Sequence, residues 1–168
     1  MIEIREVTSP HEKSAITEAV LRDLPGWFGI EASIGSYTAD AAGLYLLCAF
    51  DREKPVGFIV LHEHFPCTCE IHVMGILQSH HRLGIGRELV NRAAAHYAGR
   101  GFAYMTVKTV AEPAGDAEYA SIRAFYRAMG FLPLEVFPLL WDAHNPCLFL
   151  CKSLTEKDSG FSLPGSAG

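Results

Sequence analysis

Residues 80–90, HHRLGIGRELV, decide how this chain folds. Two glycines, Gly84 and Gly86, stand where an apolar strand pattern gives way to apolar residues at every third and fourth position, as in an amphipathic helix. Glycine lets the backbone approach a ligand closely, and the free amides and dipole of a helix N-terminus attract anions. The segment therefore predicts an anion-binding turn between a strand and a helix, with Arg82 and Arg87 as cationic support on either side.

Three ligand classes use a turn of this kind, and the sequence separates them. A P-loop requires Lys and then Ser or Thr after its last glycine, whereas Arg87 and Glu88 follow here. A dinucleotide-binding turn requires a third glycine, and Leu89 occupies that place. The pyrophosphate of coenzyme A remains as the ligand class, beside the alternative that both glycines serve only the geometry of the turn.

Outward from this turn, the hydrophobic pattern predicts alternating strands and helices. Strands are expected over residues 2–7, 44–50, 56–64, 69–77, 103–110, 131–141 and 146–154, and helices over residues 10–24, 30–42, 84–101 and 118–129. This mixture predicts a single α+β domain with a mixed α/β sheet over residues 1–154. Residues 155–168 are polar and rich in Gly and Ser, and we expect them to form a flexible C-terminal tail.

The composition of the 168 residues excludes several classes of protein. A chain that is 49% hydrophobic and 20% charged is globular rather than disordered. The formal net charge of -5 provides no electrostatic footprint for nucleic acid or an anionic membrane, so neither is expected as a partner. No apolar run approaches the roughly 20 residues of a membrane helix, and five cysteines, an odd number, favour reduced thiols. We expect a cytoplasmic protein.

Residues 70–86 resemble the core motif of the GNAT superfamily of N-acetyltransferases. The pattern of that family is Q/R-x-x-G-x-G/A after the fourth strand, and a glutamate is often found on that strand. Gly84 and Gly86 match its glycines, and Glu70 has the family's spacing to them. His81 occupies the Q/R position, which is a departure, and Arg82 stands beside it as a substitute.

The late segment FYRAMGF at residues 125–131 matches the Tyr-x-x-x-Gly-Phe helix end of the same family. Together with the order of elements over residues 2–154, it implies the acyl-CoA N-acyltransferase fold. That fold has about seven mostly antiparallel strands, a splayed central parallel pair and about four helices. Acetyl-CoA is then the expected cosubstrate, and a homodimer is a further expectation, because members of the family often pair.

The resemblance also implies where acetyl-CoA binds. Backbone amides at the end of the fourth strand would contact the acetyl and pantetheine groups, where a donor to the thioester carbonyl stabilises the oxyanion; they belong to Met74, Gly75 and Ile76. Amides of the turn would hold the pyrophosphate; they belong to His81, Arg82, Leu83, Gly84, Ile85, Gly86 and Arg87. Tyr126 matches the family's tyrosine near the coenzyme sulfur and would protonate the leaving thiolate, unless it serves only to pack its helix.

Two residues are candidates for the base that accepts a proton from the attacking amine. Glu70, His72 and Met74 alternate with period two, which predicts that they share one strand face. At about 3.3 Å per residue, Glu70 lies roughly 13 Å and His72 roughly 7 Å from Met74, so Glu70 would need a water relay. A histidine titrates close to neutral pH. A purely structural role for both residues remains the alternative.

A metal site is not predicted, although His62, His64, Cys67 and Cys69 lie close together in the sequence. Their spacing is not that of a C-x-x-C ligand pair, and four ligands would crowd one hairpin. The cysteines also lack a signature of nucleophile, base and orienting residue, so a covalent cysteine route is not expected.

The expected function is transfer of an acetyl group from acetyl-CoA to a primary amine of an unidentified small molecule or peptide, by direct attack in a ternary complex. A non-catalytic acyl-CoA-binding or regulatory domain is the alternative, since it would keep the glycine turn. An acetyltransferase acting on aminoacyl-tRNA would require a basic surface to bind the RNA, and the net charge of -5 disfavours such a surface.

Overall fold

In the computed structural model, which describes residues 1–112 and 117–155, seven strands form one sheet and four helices pack against it. The elements in chain order are β1 (Ile2–Val7), α1 (Pro10–Arg22), α2 (Glu31–Ala41), β2 (Tyr45–Asp51), β3 (Lys54–Phe65), β4 (Thr68–Ile76), α3 (Ile85–Gly99), β5 (Tyr104–Val110), α4 (Ala117–Ala128), β6 (Leu132–Asp142) and β7 (Asn145–Ser153). The predicted fold class is confirmed. Of the predicted tail, residues 156–168 lie outside the described residues.

The sheet has the strand order β1-β2-β3-β4-β5-β7-β6, and only β4 and β5 are parallel neighbours. Their pairing runs from Thr68↔Tyr104 to Ile71↔Val107. Past this point β4 continues to pair with β3, and β5 with β7. The two parallel strands therefore diverge halfway along their length, as the resemblance implies, and each turns an edge toward the gap between them.

Apolar layers cover both faces of the sheet. On one face α3 and α4 enclose a cluster that includes the fully buried Leu89 and Tyr97. On the other face α1 and α2 pack over β2, β3 and β4, with Leu21 and Phe58 fully buried between them. Within the described ranges, no helix is both long and apolar enough to cross a membrane. Strand β4 contributes buried side chains to both layers.

Strand β4 contains a bulge at His72. The pairs Leu61↔Ile71 and Val60↔Val73 are consecutive on β3 but two residues apart on β4, so His72 is the additional residue. It is also the first residue of β4 beyond the last pair with β5. The bulge and the divergence of the parallel strands therefore coincide at one position.

The bulge changes which side chains share a face. Met74 packs with the cluster beneath α3 and α4, whereas His72 and Val73 both lie on the face covered by α1 and α2. The prediction that Glu70, His72 and Met74 lie on one face is therefore wrong for Met74. The physical reason is that the extra residue of a bulge reverses the alternation of every side chain that follows it.

Candidate active site

The glycine turn adopts a geometry that only glycine accommodates easily. Gly84 has a φ of +78° and forms the N-cap of α3, and Glu88 donates its backbone N–H to the Gly84 carbonyl at 3.1 Å. A Cβ atom on Gly86 would lie 3.4 Å from the Ile76 side chain and 3.5 Å from Phe125. The backbone conformation therefore requires glycine at position 84, whereas a Cβ atom at position 86 would make only ordinary van der Waals contacts. The first amides of α3 point out of the helix without an intrahelical acceptor.

The side chain of His81 fastens this turn to the end of β4. Its Nε2 lies 2.7 Å from the Ile76 carbonyl oxygen, which can only accept, so Nε2 carries the proton. The Trp27 ring meets the His81 ring edge-on, with centroids 5.8 Å apart. At the position where the family pattern has Gln or Arg, this histidine therefore supplies a hydrogen-bond donor.

The start of the turn is also attached to the end of α1. The backbone N–H of Gln78 donates to Asp23 Oδ2 at 2.9 Å, and the Gln78 side-chain amide donates to the Asp23 carbonyl. Arg82 and Arg87 of the turn are both exposed. Anion binding by this turn stays a prediction from the sequence.

Gly75 lies where α1 packs closely against β4. A Cβ atom there would lie 3.0 Å from Leu24 and 3.2 Å from Val20, so a side chain would push α1 away from β4. Its pairing with Phe58 is regular, which places the bulge of β4 at His72 rather than at this glycine. Met74 and Ile76 lie on the other face, half-buried. The three residues lie in the part of β4 that has no pairing with β5, residues 72–76.

A group of polar side chains lies at the mouth of the gap between β4 and β5. Glu70 is 8% exposed, and its carboxylate forms an ion pair with the Lys108 ammonium group of β5. The two residues flank the last pair of the parallel ladder, Ile71↔Val107. We call the residues gathered here the splay cluster, which consists of Tyr37, Asp40, Glu70, His72 and Lys108.

His72 has the geometry of an oriented base. Its Nε2 lies 2.9 Å from Asp40 Oδ2 of α2, and the His72 side chain is 20% exposed. Because an ionised carboxylate only accepts hydrogen bonds, Nε2 carries the proton in the neutral ring. The lone pair of the ring is then on Nδ1, which is the atom able to accept a proton.

Tyr37 packs against His72, and its ring lies edge-on to the imidazole with centroids 5.4 Å apart. Burial raises the pKa of the Tyr37 phenol, and the nearby carboxylates of Glu70 and Asp40 raise it further. Sequence reasoning did not identify Tyr37 or Asp40 as site residues. The available signal was their spacing of three on α2, which places both on one helix face, but the sequence does not show that this face meets His72.

Tyr126 is 6% exposed on α4, and burial raises the pKa of its phenol, with the nearby Tyr37 adding to the effect. Its ring packs edge-on against Phe125 and Phe131, with centroids 5.3 and 5.5 Å away. Tyr126 therefore has the packing role that the sequence left open for it. A hydroxyl that stays protonated at neutral pH can also donate a proton, so the two roles are compatible.

The histidines of β3 adjoin the splay cluster. The His62 ring lies 4.2 Å from that of His64 and 5.8 Å from that of His72, measured between centroids. Burial and the two neighbouring imidazoles lower the pKa of His62. His64 Nε2 is 3.6 Å from Glu70 Oε1. Cys69 lies in the core on the opposite face, and among the described residues no three metal-ligating side chains converge.

Comparisons with known proteins agree with the fold described above. Similar solved structures include a protein from Desulfovibrio desulfuricans assigned to the GNAT family, with 14% identity, 92% of this chain and 100% of that chain covered and a TM-score of 0.79. An aminoglycoside 6'-N-acetyltransferase complexed with coenzyme A has 17% identity, coverage of 92% and 98% and a TM-score of 0.72. The ribosomal-protein-S18-alanine N-acetyltransferase from Escherichia coli has 12% identity, coverage of 97% and 100% and a TM-score of 0.72.

At these identities the similarity shows the fold. A search of curated proteins finds no match. The family model described as "Acetyltransferase (GNAT) family" matches residues 8–131, which span the divergent strands, the glycine turn and the helix that carries Tyr126. Because this match covers well over half of the 168 residues, the chain belongs to the GNAT family of acetyltransferase enzymes.

Proposed function

We propose that this enzyme transfers an acetyl group from acetyl-CoA to a primary amine of a small molecule or peptide, by direct attack in a ternary complex. The observation that carries the proposal is the His72–Asp40 pair, an imidazole held by a carboxylate at 2.9 Å where β4 and β5 part. A base fixed by an orienting group, next to an anion-binding turn, is the arrangement that amine acetylation requires.

In this proposal the coenzyme lies along the unpaired edge of β4. The outward amides of residues 81–87 hold the pyrophosphate, with Arg82 and Arg87 adding charge. The pantetheine arm continues past Met74, Gly75 and Ile76, whose backbone has no β5 partner. An amide of this segment donates to the thioester carbonyl oxygen and stabilises the negative charge that develops there. The ligand thereby takes the place of a missing strand.

The amine nitrogen attacks the thioester carbonyl carbon while His72 Nδ1 accepts the proton that the nitrogen loses. Asp40 keeps the ring in the required tautomer and stabilises the imidazolium that forms. We assign this task to His72 rather than Glu70, because the Glu70 carboxylate is engaged by the Lys108 ammonium group. Glu70 acts in this site by holding Lys108 and the end of the parallel ladder in place.

Collapse of the tetrahedral intermediate breaks the carbon–sulfur bond. Tyr126 donates its phenolic proton to the leaving thiolate, so the products are the acetylated amine and coenzyme A. The phenol then regains a proton from solvent, and His72 releases the one it accepted. This role is supported by the burial of Tyr126, which raises the pKa of its phenol and keeps the hydroxyl protonated.

The charge of the splay cluster favours an acceptor with a single amine. Glu70 and Lys108 neutralise each other, and Asp40 is the remaining carboxylate of the cluster, with half of its side chain exposed. One carboxylate beside the imidazoles attracts one ammonium group. The ammonium group then loses a proton, and the neutral amine is the nucleophile. A polycationic acceptor would require more acidic groups than this cluster offers.

A non-catalytic acyl-CoA-binding domain is the alternative function. It would retain the glycine turn and the unpaired edge of β4, but it would have no use for an imidazole whose tautomer is fixed by Asp40.

We also propose that the protein acts in the cytoplasm, since all five cysteines are free thiols and burial raises the pKa of both Cys48 and Cys69 to about 12.

The test is an acetylation screen with the purified full-length chain. Acetyl-CoA is offered with panels of monoamines, amino acids, short peptides and polyamines, and both coenzyme A and the acetylated product are measured by mass spectrometry. A thiol reagent is unsuitable as the readout, because Cys67 is exposed and would react. We expect turnover with a monoamine or peptide, and its loss in His72→Ala. Binding of acetyl-CoA without transfer to any amine would identify the non-catalytic alternative.

A further inference from the structure

Five rings form a continuous row that passes through His72. The row begins in the α1–α2 connection and ends on β3, and its members in spatial order are Phe28, Tyr37, His72, His62 and His64. Neighbouring centroids in this order are 6.0, 5.4, 5.8 and 4.2 Å apart. Rings at such spacings attract and orient one another. We call these five residues the aromatic row.

The aromatic row keeps surface that solvent can reach. None of its five residues is buried, and the side chains of His64 and His72 are 41% and 20% exposed. Rings that only fill the core under α1 and α2 are buried, as Phe50 and Phe58 are. The accessible rings on both sides of His72 therefore form a surface that a ligand can contact.

The β3 end of the aromatic row opens into a cavity of about 490 Å³, a size typical of small-molecule sites. The residues that line it are Glu63, His64, Phe65, Pro66, Arg100 and Phe102. Its two charged groups are paired, because the Arg100 guanidinium donates to the Glu63 carboxylate at 2.5 and 3.3 Å. The cavity therefore offers apolar and aromatic surface with its ionic groups already engaged.

We propose that the acceptor is a primary amine carried on a short chain from an aromatic ring, without a second charged group. The inference rests on the proposed function: the amine lies at His72, and the ring of the acceptor lies against His62 and His64 with its far edge toward the cavity. Aromatic pairs attract each other beyond the area that they bury. Burial and the neighbouring imidazoles lower the pKa of His62, so this ring is neutral and does not repel the ammonium group.

The dimensions of the aromatic row limit the length of the chain between nitrogen and ring. At about 1.5 Å per bond, a two-carbon chain places the nitrogen and the ring centre roughly 5 Å apart. The His72 and His62 centroids are 5.8 Å apart. An amine at His72 therefore brings a ring on a two-carbon chain alongside His62.

The paired charges on either side of the row disfavour acceptors with a further charge. Lys108 forms an ion pair with Glu70, and Arg100 forms one with Glu63. A carboxylate on the acceptor would have to displace one of these glutamates, and a second ammonium group would have to displace Lys108 or Arg100. Either exchange leaves one charged group of the protein without its partner. Amino acids and polyamines should therefore be poor acceptors.

The test compares kcat/KM for three amines with acetyl-CoA and the full-length chain at about pH 8, with the acetylated product measured by mass spectrometry. The amines are 2-phenylethylamine, 2-cyclohexylethylamine and phenylalanine. The first two carry the same chain and rings of similar size, so they differ mainly in aromaticity, and the third adds a carboxylate. We expect 2-phenylethylamine to exceed 2-cyclohexylethylamine about tenfold, the effect of one aromatic pair. We expect phenylalanine to be the poorest acceptor.

Variants of His64 then show whether the aromatic row provides this preference. His64→Leu removes the ring and keeps an apolar side chain, and we expect it to abolish the preference through a higher KM for 2-phenylethylamine. His64→Phe restores a ring and should restore the preference, although both variants lose the imidazole beside Glu70. His96→Leu is the matched control, because His96 stacks on Tyr45 at 4.3 Å but belongs to α3, outside the row. This control should keep the preference.

Two results would overturn the proposal: equal kcat/KM values for the phenyl and cyclohexyl amines in wild type, or an aromatic preference that survives in His64→Leu. Turnover of amines without an aromatic preference would defeat this inference and leave the proposed function standing. Acetyl-CoA binding without transfer to any amine would defeat both. Circular dichroism and the rise in melting temperature with acetyl-CoA verify that each variant is folded.

Discussion

The glycine turn and the splay cluster are built in opposite ways. The turn consists of consecutive residues, and a φ of +78° at Gly84 favours glycine there. The splay cluster uses side chains from α2, β4 and β5, held together by the Asp40–His72 and Glu70–Lys108 pairs. One region is local in sequence, whereas the other exists only after folding.

This difference explains how one fold serves many acceptors. Coenzyme A always presents the same pyrophosphate, and backbone amides recognise it with little dependence on side chains. The acceptor is recognised by side chains of separate elements, each of which can change without disturbing the turn. Variants in the two regions should therefore separate coenzyme binding from turnover.

The largest effect is expected from Gly84→Glu. Its carboxylate would repel the pyrophosphate, and a non-glycine residue is strained at a φ of +78°. Acetyl-CoA at 100 times its Kd stabilises a folded protein by about 2.7 kcal/mol, and the variant should lose this stabilisation in thermal unfolding. Gly101→Glu is the matched control, since Gly101 also has a positive φ (+84°) with open space around a Cβ atom and lies just past the far end of α3. Coenzyme binding that persists in Gly84→Glu would place the coenzyme elsewhere.

The splay cluster should respond in turnover rather than in coenzyme binding. His72→Ala should lower kcat roughly 100-fold through the loss of general-base catalysis. Asp40→Asn should lower it about tenfold, which corresponds to one charge-assisted hydrogen bond. Both variants should retain the acetyl-CoA thermal shift. A Glu70→Gln variant that loses more kcat than His72→Ala would transfer the base role to Glu70.

Tyr126→Phe should lower kcat about tenfold, because the leaving thiolate loses a positioned proton donor. Burial raises the pKa of this phenol, so the protonated donor is the favoured form and wild-type turnover should not decline up to about pH 9 through its ionisation. Tyr97→Phe is the matched control, because Tyr97 is a fully buried tyrosine of α3 whose pKa burial also raises. Equal kcat values in Tyr126→Phe and wild type would show that Tyr126 has only a packing role.

The smallest effect on acetyl transfer is expected from Lys108→Met, whose main consequence is structural. Loss of the ammonium group leaves the buried Glu70 carboxylate unpaired, at a cost of about 2 kcal/mol for a pair that is partly exposed. The double variant with Glu70→Gln should regain part of that stability in urea unfolding. Arg22→Met removes exposed ion pairs with Glu18 and Glu31 and should change the unfolding midpoint little. Additive effects of Lys108→Met and Glu70→Gln would show that the two residues are not coupled.

Much of the glycine turn was predictable because it is encoded in contiguous residues. The residues of the turn, the change from strand to helix and the need for glycine all follow from the pattern of residues 80–90. The two faces of β4 were not predictable past His72. Alternation assigns Met74 to the face of Glu70, and the bulge that reverses it depends on how β3 and β4 pair.

The sequence by itself determined the α+β fold, the family and the place of the glycine turn, because periodicity and glycine conformation act over a few neighbouring residues. Only the tertiary structure decided that Asp40 orients His72, that Lys108 engages Glu70 and that the apolar side chains of β6 lie on the surface. These are contacts between residues 32 and 38 positions apart, or the result of where a strand falls in the sheet. Such contacts form only when separate elements pack, so no local pattern reports them.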